Sequence, residues 1–231
     1  LLWFLKGDTN NNNLKEQNVN IWTGNSSREF LDNAGLEHYM EGDCGPVYGH
    51  QYRFFGTEYE GCKPFEYYKN KKGVDQLTQV VDSIKQNPYS RRHFVSAWNP
   101  YQKEEMCLPP CHVSFQFYVN DNDLSCHVYM RSCDVFLGLP FNILNYTVLT
   151  YIIAKKCDLY PKTLIFSFGD CHIYTNHLNQ VKEQLSRIPK CPPRLEIENT
   201  VKDSPFESLS IDMIKIIDYD PHPSIKAPMA V

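Results

Sequence analysis

The strongest constraint on the fold is the run from Cys111 to Arg131. Val113, Phe115, Phe117 and Val119 alternate with Ser114, Gln116 and Tyr118, the period of a strand with one face on a core. Asn120, Asp121, Asn122 and Asp123 follow as a turn, and Leu124 to Arg131 again reads as extended. The spacing predicts a hairpin whose loop is longer than two residues. Cys111 begins one strand and Arg131 ends the other, so antiparallel pairing sets them face to face, and a guanidinium there favours thiolate, the reactive form, over thiol. Pro109 and Pro110 remove two backbone donors just before the cysteine and stiffen its approach. Chemistry is expected between Leu108 and Asn142.

The rest of the chain supplies elements to pack around that hairpin. Leu1 to Leu5 reads as a buried helical segment, and Gly7 to Asn13 as a polar turn. Ile21 and Trp22 suit either core packing or the wall of a pocket. Ser26 and Ser27 cap a short helix through Leu31, and Gly42 to Arg53 holds too much glycine and proline for regular structure until its end. Tyr59 to Gly73 is a surface excursion in which Lys69, Lys71 and Lys72, near Glu66 and Asp75, form a solvated loop. Leu77, Val80, Val81 and Ile84 recur at helical spacing before Pro88, and a strand begins after Arg91 and Arg92. Pro140 favours a helix start, followed by a wide apolar face from Ile143 to Ile153. Asn142 lies in the first turn of that helix, where its amide either caps backbone groups or reads a ligand. Leu164 to Phe168 reads as a short strand. His172 and Tyr174 share a face if extended, and Leu178, Val181 and Leu185 form an amphipathic helix.

A chain of 231 residues can bury one sizeable core, and we expect a single α+β domain over 1–231, with a mixed or antiparallel sheet and helices on one side. The net charge of −4 gives no general attraction to nucleic acid, so DNA is not expected as a partner and any phosphate must be held by local arginines. No apolar run reaches membrane-spanning length. The nine cysteines, an odd number without a small-scaffold pattern, indicate free thiols and a reducing, cytoplasmic compartment. Three Cys-His dipeptides, at Cys111, Cys126 and Cys171, raise the question of zinc. On extended segments the two members of each point to opposite faces, no Cys-x-x-Cys accompanies them, and no metal is expected.

The runs LPPCH, RSCDVFLGLPFNI and GDCHIYTNH, with GPVYG before them, occur in the order and at the separations of thymidylate synthases. The chain resembles that family, in its eukaryotic-like form, from LLWFLKGDTN to DYDPHPSIKAPMAV. The resemblance implies a homodimer through the open sheet face that converts dUMP to dTMP, with 5,10-methylenetetrahydrofolate as carbon donor and reductant and dihydrofolate as the second product. Cys111 would add to the pyrimidine C6, Asn142 would read the ring, and Tyr48 and His112 would order water beside it. An amide both accepts and donates, which matches uracil better than cytosine. Arg131 and Ser132 would hold the phosphate together with Arg91 and Arg92 of the other subunit; Cys133 and Asp134 would complete the nucleotide wall, and His172 and Tyr174 would bind the sugar hydroxyl. Ile21, Trp22, Leu108, Asp134, Gly138, Phe141 and Ala230 would form the folate site.

The chain also departs from the family pattern. Met130 stands where glutamine is usual, Cys44 for leucine and Tyr52 for tryptophan. The glutamate usual before the first leucine pair and an upstream arginine loop precede the first residue, so the chain is expected to be truncated at its N-terminus. A deoxypyrimidine nucleotide hydroxymethylase and a non-catalytic nucleotide- or RNA-binding remnant are the alternatives.

Overall fold

The computed structural model describes residues 1–229. Short helices open the chain: α1 (Leu2–Leu5), α2 (Asn11–Lys15), α3 (Arg28–Asn33), α4 (Tyr48–Phe54) and α5 (Phe65–Tyr68). They precede the longer α6 (Gln76–Gln86), whose apolar face is Leu77, Val80, Val81 and Ile84. Strands β1 (Phe94–Ser96), β2 (His112–Asn120), β3 (Asp123–Asp134) and β4 (Tyr160–His172) form one sheet in that order. The first two pairings are antiparallel and the last is parallel, with α7 (Gly138–Lys156) as the crossover between β3 and β4. Helix α8 (Leu178–Leu185), a separate antiparallel pair of β5 (Arg194–Ile197) and β6 (Ile214–Ile217), and five short 3-10 helices complete the described elements. This is the expected α+β architecture with a mixed sheet.

Alternation along the strands decides which face is covered. Phe115, Phe117 and Val119 of β2 and Leu124, Cys126, Val128 and Met130 of β3 are buried, and Leu149, Ile152 and Ile153 of α7 join them in one core. The opposite face leaves Phe94, Tyr118, Tyr129 and Ile165 exposed. Phe94 pairs with Gln116, Gln116 with His127 and His127 with Ile165, so a continuous row crosses that open face.

Several local expectations are corrected. The hairpin loop is two residues, not longer, because Asn120 pairs with Asp123; Asp121 takes φ +53 there, a conformation its short polar side chain tolerates. The asparagine run is not all turn: Asn10 caps α2 by accepting from the Asn12 amide, and the buried Asn11 donates to Ser26. Within the expected surface excursion, Tyr68 is buried and the Tyr59 hydroxyl donates to Asp43 at 2.6 Å. The short strand predicted at Leu164 extends from Tyr160 to His172. It is an edge strand with much of its length exposed, so apolar content alone understates it.

Burial at the centre of α7 carries the packing of that helix on the sheet. Ile152 is 0% exposed, and Ile152→Ala is expected to destabilise the fold by about 2–5 kcal/mol. Urea unfolding of the two proteins checks this; a change below about 0.5 kcal/mol would contradict the packing described.

Candidate active site

The sheet brings several chain segments to one end. Strand β3 runs against β2, so the end of β3 meets the start of β2, and the parallel β4 ends beside β3. There the Arg131 amide donates to the Cys111 carbonyl at 2.8 Å. Ser132 pairs with Asp170, Cys133 with Cys171, and Asp134 with His172. Helix α7 begins soon afterwards at Gly138, where an added Cβ would make only ordinary contact with Asp134 and Asn142. Asn142 and Tyr146 share a face of α7 at i,i+4, and Tyr146 reaches His112 Nδ1 at 2.7 Å. Asn142 thus stands one helical turn from Tyr146, the residue that contacts the neighbour of Cys111.

Arg131 is tied to the peptide it faces. Its Nε donates to Pro110 O at 2.9 Å and its Nη2 to Pro109 O at 2.7 Å, while the guanidinium lies 5.8 Å from the Trp98 ring centroid. The two prolines therefore supply acceptors where they lack donors, and other guanidinium N–H groups are left for an anion. Cys111 is half-buried, its amide donating to the Tyr48 hydroxyl at 2.8 Å. Burial pushes the Cys111 thiol up, and the Arg131 guanidinium pulls it back only in part. The arginine acts in the expected direction, but the net shift is opposite to the expected thiolate, because desolvation outweighs a charge already shared with two carbonyls.

The remaining predicted residues divide into those at this end and those elsewhere. Tyr48 is buried and stacks on His112 with centroids 4.0 Å apart; Trp22 packs 5.9 Å from Tyr48. The Trp22 indole N–H has no acceptor among the described residues, while neighbouring Ile21 is 48% exposed. Leu108 is half-buried just before the prolines, and Phe141 is exposed at the start of α7. Asp134 Oδ1 accepts from the Phe136 and Leu137 amides, holding the turn. His172 Nδ1 is 2.8 Å from Asp170 Oδ1, and its ring meets Tyr174 edge-on at 4.9 Å. Ala230 lies outside the described residues.

Arg91 and Arg92 sit elsewhere in the chain. Both are exposed in the loop before β1. Register places Arg92 two residues before Phe94, which pairs with Gln116, so the pair is level with the far end of β2. At about 3.3 Å per residue that is roughly 20 Å from Cys111. They do not converge on the cysteine of their own chain.

Four participants were missed in the sequence. Tyr146 and Tyr52 form a buried hydroxyl pair, 3.1 Å apart, behind His112. Asp170 partners His172, and their i,i+2 spacing in an extended segment was the available signal. His177, fully buried, bonds Pro228 O at 2.7 Å with its Nδ1 4.0 Å from Asp134, which ties the C-terminal segment to this end. Met130, opposite His112 in register, is 2% exposed and packed in the core. Among the described residues no group of three or more His, Cys, Asp or Glu side chains is placed to hold a metal ion, and no helix is long and apolar enough to cross a membrane.

Fold and site together define a class: a mixed α+β protein that presents a half-buried cysteine, an arginine and a helix-borne amide at one end of its sheet. Comparison with known proteins gives the particular family. The thymidylate synthase family model matches residues 1–231. Thymidylate synthase of Saccharomyces cerevisiae is 47% identical over 240 residues, covering 100% of this chain and 77% of that protein. The thymidylate synthase of Human herpesvirus 8 is 48% identical, with 100% and 67% covered. A bifunctional dihydrofolate reductase-thymidylate synthase of Zea mays is 47% identical, with 100% of this chain but 43% of that protein covered. The chain belongs to the thymidylate synthase family, and it spans less than half the length of the bifunctional relative.

The balance at Cys111 can be measured directly. Its alkylation by iodoacetamide, mapped by peptide mass, is expected to have a midpoint above the pH of an ordinary thiol, because burial raises it. Arg131→Gln removes the opposing charge and is expected to move the midpoint further up. An unchanged or lower midpoint in the variant would contradict the electrostatics described.

Proposed function

We propose that this protein catalyses the reductive methylation of dUMP to dTMP with 5,10-methylenetetrahydrofolate, through covalent addition of Cys111 to the pyrimidine C6. The observation that carries the reading is the convergence of Cys111, Arg131, Asn142 and His172 at one end of the sheet, in a chain of this family.

The chemistry follows from the weakness of uracil C5 as a nucleophile. Addition of the Cys111 sulfur to C6 pushes the C5–C6 electron pair onto C5 and the adjoining carbonyl, giving an enolate carbon that can attack an electrophile. Burial opposes ionisation of the Cys111 thiol and the Arg131 guanidinium favours it; the thiol gives its proton to solvent before the sulfur adds, and the dUMP phosphate beside Arg131 and Ser132 places the ring against the sulfur. Asn142 accepts and donates across the ring edge and supports charge on its carbonyl. Water held by Tyr48 and His112 takes the C5 proton. The folate supplies the one-carbon unit and afterwards the hydride that makes it a methyl group, being oxidised to dihydrofolate as the bond between Cys111 sulfur and C6 breaks and frees dTMP. Its site fits the residues present: an exposed Ile21 and Phe141 for apolar rings, the unpartnered Trp22 N–H, and the Asp134 carboxylate, of which only Oδ1 is held by backbone. His172, oriented by Asp170, and Tyr174 meet the sugar hydroxyl.

The reading includes a homodimer through the open sheet face. Arg91 and Arg92 are exposed and far along β2 from their own Cys111, and a partner's pair would complete the phosphate site. The apolar residues Phe94, Tyr118, Tyr129 and Ile165 on that face give the partner something to cover. Nine free cysteines suit the reducing cytoplasm.

Product analysis tests the proposal. The protein with dUMP and methylenetetrahydrofolate is expected to form dTMP and dihydrofolate in equal amounts, and Cys111→Ser to lose at least about a thousandfold in turnover. Formation of 5-hydroxymethyl-dUMP without dihydrofolate would assign the hydroxymethylase reaction instead. Full turnover by Cys111→Ser would remove the covalent mechanism.

A further inference from the structure

We propose that Tyr146 is a positioning residue, set by Tyr52, that holds the His112 imidazole in the tautomer carrying its proton on Nε2, so that His112 enters the site as a hydrogen-bond donor. The inference deepens the reading above and rests on it for its catalytic meaning.

The argument is a count of buried donors. His112, Tyr146 and Tyr52 are 6%, 2% and 1% exposed, so a polar hydrogen left without an acceptor among them costs free energy. Burial lowers the His112 pKa to about 3 and raises that of Tyr146 well above its ordinary value. The ring is therefore neutral and the phenol protonated, and the neutral ring has one donor and one acceptor nitrogen. Tyr146 Oη lies 2.7 Å from His112 Nδ1 and 3.1 Å from Tyr52 Oη. Two arrangements are open. If Nδ1 carries the proton, it donates to Tyr146, Tyr146 donates to Tyr52, and the buried Tyr52 hydrogen has no acceptor among the described residues. If Nε2 carries the proton, Tyr52 donates to Tyr146 and Tyr146 donates to Nδ1. Each arrangement leaves one hydrogen over: in the first it is on Tyr52, 1% exposed and remote from Cys111, and in the second it is on His112, 6% exposed and next to Cys111, where the site can use it.

The surroundings leave the choice to this pair. Tyr48 covers one face of the imidazole, with ring planes 16° apart, and its hydroxyl already accepts from the Cys111 amide. Met130, across the register from His112, is a thioether and a weak acceptor at best. The void that His112, Tyr52 and Tyr146 share with Leu1, Phe4, Asn145 and Leu149 is about 10 Å³, at the lower limit for one water, and the Leu1 amino group is the charge that His112 feels in addition to burial. His112 Nε2 then serves by donating to the water that takes the C5 proton, which fixes that water's orientation. Through His112, a tyrosine pair that touches no substrate sets the donor pattern of the site.

The test uses the ligand-free protein, so that its outcome is independent of turnover. Long-range proton–nitrogen spectra of protein labelled at its eight histidines, with His112 identified by the signals missing from His112→Gln, distinguish the tautomers directly. Nε2–H is expected in the wild type, with a shift of the Nδ1 resonance in Tyr146→Phe. Tyr52→Phe keeps the His112 contact but removes the donor that orients Tyr146, and is expected to leave a mixture of tautomers; it serves also if Tyr146→Phe folds poorly. In the turnover assay Tyr146→Phe is expected to lower kcat by about tenfold while the KM for dUMP changes by less than about twofold, the pattern of a group felt in the transition state rather than in binding. An Nδ1–H ring in the wild type, or a His112 nitrogen shift indifferent to Tyr146→Phe, would overturn the inference. The expected spectra with no dTMP formed would instead leave the tautomer standing and remove the proposed reaction.

Discussion

The antiparallel register of β2 on β3 is the constraint on which the rest of the site depends. Asn120 pairs with Asp123 across a two-residue turn, and a one-residue register shift between His112 and Ser114 then brings the far ends of the hairpin together with His112 opposite Met130 and the Cys111 carbonyl on the Arg131 amide. A slip of one residue along the paired core would turn the apolar residues of one strand, such as Phe115 and Phe117, out to the open face. The alternation fixes the core from Phe115 onward, and the register shift between His112 and Ser114 then fixes where Cys111 arrives. Arg131 reinforces it from the side chain, clasping the Pro109 and Pro110 carbonyls that lead into Cys111.

Around that register the other elements add function one contact at a time. Parallel β4 carries His172 to the level of Asp134, and α7 starts where β3 ends, so Asn142 and Tyr146 descend one face of a core helix toward His112. The aromatic stack of Trp22, Tyr48 and His112 links the N-terminal helices to the same place. Burial protects this arrangement from water and also opposes ionisation of the thiol. The Arg131 guanidinium is the charge that works against that effect of burial.

Much of this was legible in the sequence because it is written in periods and punctuation. The alternation at Val113 to Val119 and the helical spacing at Leu77 to Ile84 gave β2 and α6 closely, and the hairpin brings Cys111 beside Arg131 with the help of a register shift between His112 and Ser114 that no period announces. What escaped was set by tertiary contacts. The asparagine run becomes helical because Asn10 caps it and Asn11 finds Ser26. Tyr68 and Tyr59 are drawn inward by the helices they meet, and Arg53 is 3% exposed between Asp75 and Glu207, partners far apart in the chain. The direction of the Arg131 effect on the thiol could be read from pairing, whereas the larger opposing effect of desolvation is visible only once the chain is folded. Tyr52 and Tyr146 looked like ordinary core aromatics for the same reason: no local pattern announces a hydroxyl pair 94 residues apart.

The most direct test of the central claim, that Cys111 acts as a nucleophile on a folate-dependent pyrimidine site, is the intact mass of the protein after incubation with 5-fluoro-dUMP and methylenetetrahydrofolate. Fluorine at C5 cannot leave as a proton does, so the reaction described stalls with nucleotide and folate attached. The account predicts a stable mass increase equal to both ligands, mapped to Cys111 and absent from Cys111→Ser. Unmodified protein, recovered folded after that incubation, would contradict it.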